Sequence, residues 1–367
     1  DLLGHRLAHE AHALQQRVFP RLRDLAAEHV YRFQVIDLRW GVSAEASLDQ
    51  QAMDICLREV ARCQHITPRP NFLVILGDRY GWCPPPAHIP HAHFQQFLSS
   101  IPDPANLALL QEWYFLDENA LPHEWRLKAR QPGTPYVQDA IWQPIEARLH
   151  TMLASAAMTL PFPDKERLPY IASATEQEIV AGALSVSDAL EHVLCFLRSI
   201  PDLPQHFDLP AFRTELATSL YQTYGNTPFD QHVKDLAKEL LTSPSLTTAA
   251  DFAFLLRSTL ANTPKGTIEH EVVGFLHQML VDFTAHDFIN LNETDWSIDQ
   301  AALASQNALK ERLIRHLPDN IFTYQAHWAG ACITNTHLEQ LCNDVYNSLS
   351  ALMLDQIEHP HPFSFIQ

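Results

Sequence analysis

Two short, continuously apolar runs most strongly limit what this chain can fold into. They are Asn71–Leu76 and His192–Leu197. Runs of this kind are typical of parallel strands that are buried on both faces of a sheet. Helical patterns separate the two runs, and strands that alternate with helices predict right-handed crossovers. The sequence therefore predicts an α/β fold built on a parallel sheet.

Local patterns before the first run add helices and one more strand. Apolar residues recur at helical spacing from Leu3 to Leu25, with a disturbance expected at Pro20. Arg32–Leu38 is rich in strand formers and is predicted to be a strand. Ser47 and Gln50 form a capping box, which predicts the start of the next helix.

The chain changes character twice after Trp82. Residues 83–170 are rich in proline, with helical patterns near 105–118 and 139–158, and are interpreted as an insertion. A second capping box, Thr175 with Glu178, then opens a helix before the second apolar run. Residues 1–200 are therefore expected to form one α/β domain.

No strand is predicted after Pro201. Helical patterns near 210–224, 230–242, 249–262, 268–284 and 299–316 predict an all-α region over residues 201–330. A third capping box, Thr336 with Glu339, opens the clearest helix, which should end before Pro360. Residues 331–367 are expected to form a connector.

Composition and charge exclude some functions. With 25 Lys and Arg against 43 Asp and Glu, the net charge is −18, which makes nucleic acid a poor partner. No apolar run would span a membrane and no signal peptide opens the chain. The six cysteines form no C-x-x-C pair and are expected to be buried free thiols in a reducing compartment. A cytoplasmic protein is predicted.

Several motifs in fixed order carry a family resemblance. They include Leu14–Leu22 (LQQRVFPRL), Asp37–Val42 (DLRWGV), Leu76–Trp82 (LGDRYGW) and Glu112–Asn119 (EWYFLDEN). Over residues 1–200 they resemble the TIR-like domain of unknown function that precedes NACHT NTPase modules. The later segment His337–Cys342 (HLEQLC) resembles the helical connector that leads into NACHT.

The resemblance implies a TIR-like, flavodoxin-like sheet and a signalling role in a NACHT-type STAND NTPase. In bacteria it implies defence against phage, and it implies protein partners or self-association through the TIR-like domain. The family's opening strand is absent here, and Glu10 is followed by Ala11 where the family usually has arginine. No Gly-Lys pair exists among the ten glycines, so this stretch carries no P-loop.

A ligand crevice is expected where the predicted strands end, because ligands of open parallel sheets bind beyond the carboxyl ends of strands. Carboxylates and aromatic side chains at this edge would suit a ribose and its base. The candidate residues are Asp37, Arg39, Trp40, Asp78, Arg79, Tyr80 and Trp82. The alternative is structural: each arginine pairs with its neighbouring aspartate, and the aromatic rings cover the crevice or pack on the insertion.

Two glutamates are candidates for catalysis. Catalytic TIR domains use a glutamate on the helix after the third strand to grip the ribose of NAD, and Glu178 is the best match by position, with Glu176 second. NAD is therefore a possible substrate, and the sequence identifies no cofactor. The competing interpretation is that Glu178 only completes a capping box. A third reading is a structural connector without activity.

Histidines are numerous but predict no metal site. The group His5, His9 and His12 and the group His88, His91 and His93 both lack a Cys or carboxylate partner at a recognised spacing.

Overall fold

The computed structural model describes most of residues 8–359. Its described segments are 8–38, 44–67, 69–78, 80–201, 209–225, 262–267, 270–275, 289–291, 296–298, 300–327 and 334–359, with isolated residues between 231 and 259. Arg39, Trp40 and Arg79 of the predicted crevice lie outside them, as does most of the helices predicted near 230–242, 249–262 and 268–284.

Helices dominate the described chain and short strands interrupt them. The helices are α1 (Ala8–Arg17), α2 (Phe19–Glu28), α3 (Ala44–Leu48), α4 (Ala52–Ile66), α5 (His91–Ser100), α6 (Pro104–Trp113), α7 (Asp139–Thr159), α8 (Asp164–Ile171), α9 (Ala174–Ile179), α10 (Leu209–Tyr224), α11 (Gln300–His316) and α12 (Leu338–Glu358). The strands are β1 (Phe72–Leu76), β2 (His88–Pro90), β3 (Tyr114–Asp117), β4 (Glu124–Leu127), β5 (Val193–Ser199), β6 (Ile289–Leu291), β7 (Trp296–Ile298) and β8 (Ile321–Gln325).

The chain divides into two compact units. Unit 1 consists of Asp1–Glu28, Ile75–Arg79 and Cys195–Ser350. Unit 2 consists of His29–Val74, Tyr80–Leu194 and Ala351–Gln367. Both units are therefore built from segments that are far apart in the sequence.

The predicted α/β class is confirmed by a parallel sheet with strand order β1-β5-β8. β5 pairs with β8 in parallel, with Cys195 opposite Ile321 and Ser199 opposite Gln325. The two apolar runs are β1 and β5, as predicted, and β5 is buried from Val193 to Arg198.

The expectation that no strand follows Pro201 was wrong, because β6, β7 and β8 all lie beyond it. β6 and β7 pair with each other antiparallel, while β8 extends the main sheet. β8 has only five residues, Ile-Phe-Thr-Tyr-Gln, and its burial does not alternate cleanly. Its strand conformation comes from pairing with β5, a partner that local sequence does not reveal.

The strand predicted at Arg32–Leu38 is not formed. The described residues 31–37 belong to neither a helix nor a strand. Val, Ile and Phe favour strands mainly by packing on a sheet, so propensity alone does not make one.

The first helical stretch is interrupted near Pro20, as predicted. α1 ends at Arg17 and α2 begins at Phe19. Proline donates no N–H bond and restricts the residue before it, which explains the break. Main-chain bonds from Val18 to Leu14 (3.0 Å) and from Leu22 to Val18 (3.1 Å) continue across it, so the disturbance is local.

The prediction that Ser47 and Gln50 form a capping box was wrong. Ser47 lies inside α3, and Gln50 has φ 60°, which separates α3 from α4. The main-chain N–H of Arg130 donates to the Leu48 carbonyl at 2.8 Å and its guanidinium to the Ser47 carbonyl at 3.4 Å. These distant donors satisfy the end of α3, which local sequence could not indicate.

The Pro-rich stretch 83–170 has its own core inside unit 2. The predicted helix near 139–158 is α7, and the one near 105–118 is α6, which ends at Trp113 because residues 114–117 form β3. Helices α5 and α8 and the antiparallel sheet of order β2-β4-β3 were not predicted. One cluster of buried side chains joins this sheet to α5–α8, including Phe94, Phe97, Trp113, Tyr114 and Trp142. An apolar cluster of this size explains how so many prolines can lie in an ordered region.

Three later helices agree with prediction. α10 ends just before Gly225, and α11 matches the pattern near 299–316. α12 starts at Leu338, two residues after Thr336, and buries Leu341 and Val345. It ends at Glu358, before Pro360.

Candidate functional site

A loop that follows β1 is fastened to the start of α9 within unit 2. The Tyr80 hydroxyl donates a hydrogen bond to the Glu176 carboxylate, and the Ser173 N–H donates to the Tyr80 oxygen at 3.4 Å. Gly81 has φ +96°, and a Cβ there would lie 3.3 Å from Thr175 Oγ1. Glycine is therefore needed at this turn for backbone conformation as well as for space.

Ser173, not Thr175, caps α9. Its hydroxyl accepts the N–H of Glu176 at 3.2 Å, which makes Glu176 the third residue of the helix. The predicted capping box was therefore wrong by two residues. Ser173-Ala-Thr-Glu176 fits the same motif, and the bond from the Ala174 N–H to the Trp82 carbonyl at 2.8 Å fixes the earlier start. Glu178 is thus not the capping residue.

Glu178 belongs to a partly buried group with Cys56 and Asp37. Burial raises the pKa of the Glu178 carboxyl to about 7, a hydrogen bond with the Cys56 side chain lowers it, and the charge of Asp37 raises it further. The Cys56 sulfur also lies 3.8 Å from the Leu38 carbonyl oxygen, and its single S–H donates to only one of these two acceptors at a time. A carboxyl that is half protonated near neutrality is suited to general acid or base catalysis.

Trp82 is held by the insertion. Its indole N–H donates to Glu146 Oε2 at 3.0 Å, and the indole N–H of Trp142 donates to Oε1 of the same carboxylate at 3.0 Å. Burial raises the pKa of Glu146, and the two indole bonds oppose that shift. Trp82 therefore packs on α7 of the Pro-rich stretch 83–170. Sequence analysis missed Glu146, although its i,i+4 spacing from Trp142 on α7 was a usable signal.

The remaining crevice candidate, Asp78, lies in unit 1. Its Oδ1 accepts from Lys310 Nζ of α11 at 2.9 Å. Two contact groups therefore contain predicted residues in unit 2: Tyr80, Trp82 and Glu176 in one, and Asp37 with Glu178 in the other. Asp78 has a separate partner, and Arg39, Trp40 and Arg79 are not among the described residues.

Unit 1 contains a buried ionic group that the sequence did not predict. Arg198 Nη1 donates to Glu10 Oε1 at 2.6 Å, and His337 Nε2 donates to the same oxygen at 3.1 Å. Burial raises the pKa of Glu10, but the His337 hydrogen bond and the Arg198 charge outweigh it, and the pKa falls to about 2. Sequence separations of 188 and 327 residues explain why no local pattern revealed this group.

Histidines of the insertion make separate contacts. Both ring nitrogens of His88 face carboxylates, Asp54 at 2.9 Å and Glu124 at 2.7 Å. His93 contacts the Tyr170 hydroxyl at 2.9 Å and Glu166 at 3.1 Å. Within the described part of the chain, no group of three or more His, Cys, Asp or Glu side chains is arranged to hold a metal ion.

Two further observations concern the described residues. The five cysteines among them are free thiols. Cys56, Cys195 and Cys342 are buried, as predicted, whereas Cys63 and Cys83 are partly exposed. In the same part of the chain, every helix is too short or too polar to cross a bilayer.

The fold and contacts define a mixed α/β protein with carboxylates gathered around the start of one helix. Over 54% of its length it is 32% identical to mouse NACHT domain- and WD repeat-containing protein 1, and over 55% it is 26% identical to mouse NACHT and WD repeat domain-containing protein 2. Rat telomerase protein component 1 is 30% identical over 37% of the chain.

These relatives are much longer proteins. The matched regions span 12%, 13% and 5% of their respective lengths. No family model and no solved structure matches the chain. The similarity therefore supports a NACHT-associated region and leaves a TIR family assignment without support from these comparisons.

Proposed function

We propose that the chain is the N-terminal signalling and interaction module of a cytoplasmic NACHT-type STAND NTPase. The observation that carries this is the similarity over half the chain to NACHT and WD repeat proteins. The names of the mouse relatives include WD repeats, and the name of a Dictyostelium relative includes TPR repeats. Repeats of both kinds stack into arrays that present protein-binding surfaces. In a bacterial host the output would be antiphage defence.

The contacts in unit 2 favour binding over chemistry as the leading function. Glu176 accepts from Tyr80 and lies in the first turn of α9, and Glu146 accepts from two indoles. Carboxylates that already have internal donors fix the shape of a surface. The module would then couple the NACHT nucleotide state to self-association or to recruitment of a protein effector.

Light scattering on the full-length protein tests this proposal. We expect its mass to rise with concentration when ATP replaces ADP, and we expect a matched protein without residues 1–367 to lose that rise. A strict monomer in both nucleotide states would contradict the proposal. Retained assembly after the deletion would also contradict it.

A second candidate function is cleavage of NAD or a related nucleotide. The observation that favours it is the raised pKa of Glu178, about 7, on α9, whose first turn is hydrogen-bonded to Tyr80. A protonated carboxyl can hydrogen-bond a ribose hydroxyl, and an ionised one can stabilise positive charge that develops on the ribose. Glu176 is the second candidate on the same helix.

Nicotinamide release by the activated full-length protein separates the two candidates. If the second is correct, Glu178→Gln should reduce turnover at least about 100-fold, the usual worth of an acid–base group. Glu59→Gln on the exposed face of α4, where Glu59 pairs with Arg62, should leave it unchanged. Turnover that survives both Glu178→Gln and Glu176→Gln would exclude this mechanism.

A further inference from the structure

Five buried side-chain atoms among the described residues of unit 1 lack a hydrogen-bond partner, and they belong to residues at or near the carboxyl ends of its strands. They are Asp78 Oδ2, Arg198 Nε, Gln306 Oε1, Tyr324 Oη and His337 Nδ1. Arg198, Gln306, Tyr324 and His337 are each less than a tenth exposed. Leaving so many polar groups dry would cost a large share of a domain's stability.

Contacts around Gly77 bring three of these residues together. Gln306 Nε2 donates to the Gly77 carbonyl at 2.9 Å, which leaves its Oε1 as the free atom. Lys310 Nζ donates to Asp78 Oδ1 at 2.9 Å and to the Arg198 carbonyl at 2.7 Å. A Cβ on Gly77 would lie 3.4 Å from Arg198 Nε, so the free guanidinium nitrogen also lies beside this turn.

The other two residues, Tyr324 and His337, are linked to Arg198 through Glu10. The rings of Tyr324 and His337 stack with centroids 5.6 Å apart. His337 and Arg198 share Glu10 Oε1 as their acceptor. The five atoms therefore belong to one network in which Arg198 is the common member.

The unused atoms define the chemistry of what would bind. The charges are already matched, Glu10 with Arg198 and Asp78 with Lys310, so neither an anion nor a cation is favoured. His337 Nε2 must carry a proton to face Glu10, and in the neutral ring Nδ1 is then an acceptor. Of the other unused atoms, the Asp78 and Gln306 oxygens are acceptors, Arg198 Nε is an N–H donor, and the Tyr324 hydroxyl can do either. A neutral O–H group, which both donates and accepts, matches this set.

We propose that this network binds neutral hydroxyl oxygens, supplied by ordered water or by a small sugar of the ribose type. Buried waters make about three hydrogen bonds to otherwise unsatisfied groups, and each unused atom here offers one. The position agrees with the general preference for ligands beyond the carboxyl ends of parallel strands. The proposal does not depend on the proposed function, because it concerns unit 1 and none of the residues of the Glu178 group.

Tyr324→Phe tests the shared chemistry by the sign of its effect. An oxygen bonded to the hydroxyl makes the variant less stable, and we expect the melting temperature of the protein to fall by about 2–4 °C. An unpartnered hydroxyl would instead make phenylalanine neutral or stabilising. An unchanged or raised melting temperature would overturn the proposal.

Two matched Tyr→Phe variants calibrate that result. Tyr114→Phe removes a hydroxyl that donates to the Pro86 carbonyl at 2.6 Å and should lower the melting temperature. Tyr221→Phe removes a hydroxyl from a side chain that is 47% exposed and should not. Hydrogen exchange that quickens in β8 for Tyr324→Phe, and not for Tyr221→Phe, would locate the loss.

Crystals grown with and without D-ribose distinguish the two sources. Oxygen density within hydrogen-bond distance of at least three of the five atoms is expected in both. If the source is a sugar, ribose raises the melting temperature of the wild-type protein and not of Gln306→Leu. If it is water, ribose has no effect and the density is unchanged. Direct pairing of the five atoms with one another, without any added oxygen, would refute the proposal.

Discussion

Each unit contains a largely buried glutamate, and the pKa values of the two are shifted in opposite directions. In unit 1, Arg198 and His337 hold the pKa of Glu10 down at about 2. In unit 2, Glu178 has a thiol and another carboxylate as neighbours, and its pKa rises to about 7. Burial raises the pKa in both cases, so the hydrogen bond from His337 and the charge of Arg198 decide the sign at Glu10. A glutamate with two such donors stabilises the fold, whereas one without them remains available for other work.

The largest expected effect comes from Glu10→Gln. The change leaves Arg198 buried without its counter-ion, and removing one partner of a buried pair costs about 3–5 kcal/mol of unfolding free energy. The loss should be present at pH 7 and should shrink below about pH 4.5, because Glu10 gains its proton as pH falls toward its folded pKa of about 2.

Chemical denaturation at several pH values measures this effect. The matched control is Glu59→Gln, which removes an exposed pair with Arg62 and should change stability by less than about 1 kcal/mol. A Glu10→Gln loss no larger than that of the control would show that the Glu10 network does not hold unit 1 together.

Glu178→Gln should act in the reverse direction. A folded pKa of about 7 against an unfolded value of 4.5 means that the folded state is penalised as pH rises above 4.5, fully so above 7. Removing the titration should therefore stabilise the protein by about 3 kcal/mol at pH 8 and have little effect near pH 4. Denaturation curves at both pH values provide the measurement, and destabilisation at pH 8 would contradict the raised pKa.

The elements that the sequence predicted differ from those it did not in the distance between the residues that form them. Apolar runs and helical periodicity predicted β1, β5, α10, α11 and α12, because those signals depend on near neighbours. β8 and the Glu10–Arg198–His337 group depend on segments more than a hundred residues apart. Local patterns carry no signal for such pairing.

In the candidate site too, residues near a recognisable strand end or helix start were predicted, and a contact between distant segments was not. Tyr80 and Glu176 were both chosen from their positions after a strand and at a helix start, and they are hydrogen-bonded to each other. Glu146 was missed because its link to Trp82 crosses from the loop to the insertion. Two overlapping motifs, Ser173 with Glu176 and Thr175 with Glu178, were equivalent as sequence, and only the main-chain contact of Ala174 with Trp82 selects between them.

Gly182→Ala tests packing in unit 2 and should have an effect of intermediate size on the free energy of unfolding. An added Cβ would lie 2.7 Å from the Phe72 ring of β1. Both residues belong to unit 2, and overpacking of a filled core costs about 1–3 kcal/mol. Urea denaturation measures the loss. A Gly182→Ala loss well below about 1 kcal/mol would show that Phe72 can move aside.

The smallest effect separates the two overlapping capping motifs. Ser173→Ala removes the side chain that accepts the Glu176 N–H at 3.2 Å, and loss of an N-cap costs about 1 kcal/mol. Thr175→Ala lies in the same turn and should cost less, because alanine is a better helix former and Thr175 is not the cap. Urea denaturation of both variants measures the difference. A larger loss for Thr175→Ala would show that α9 starts two residues later and that Glu178 is the capping glutamate. Glu178 would then no longer be free for catalysis.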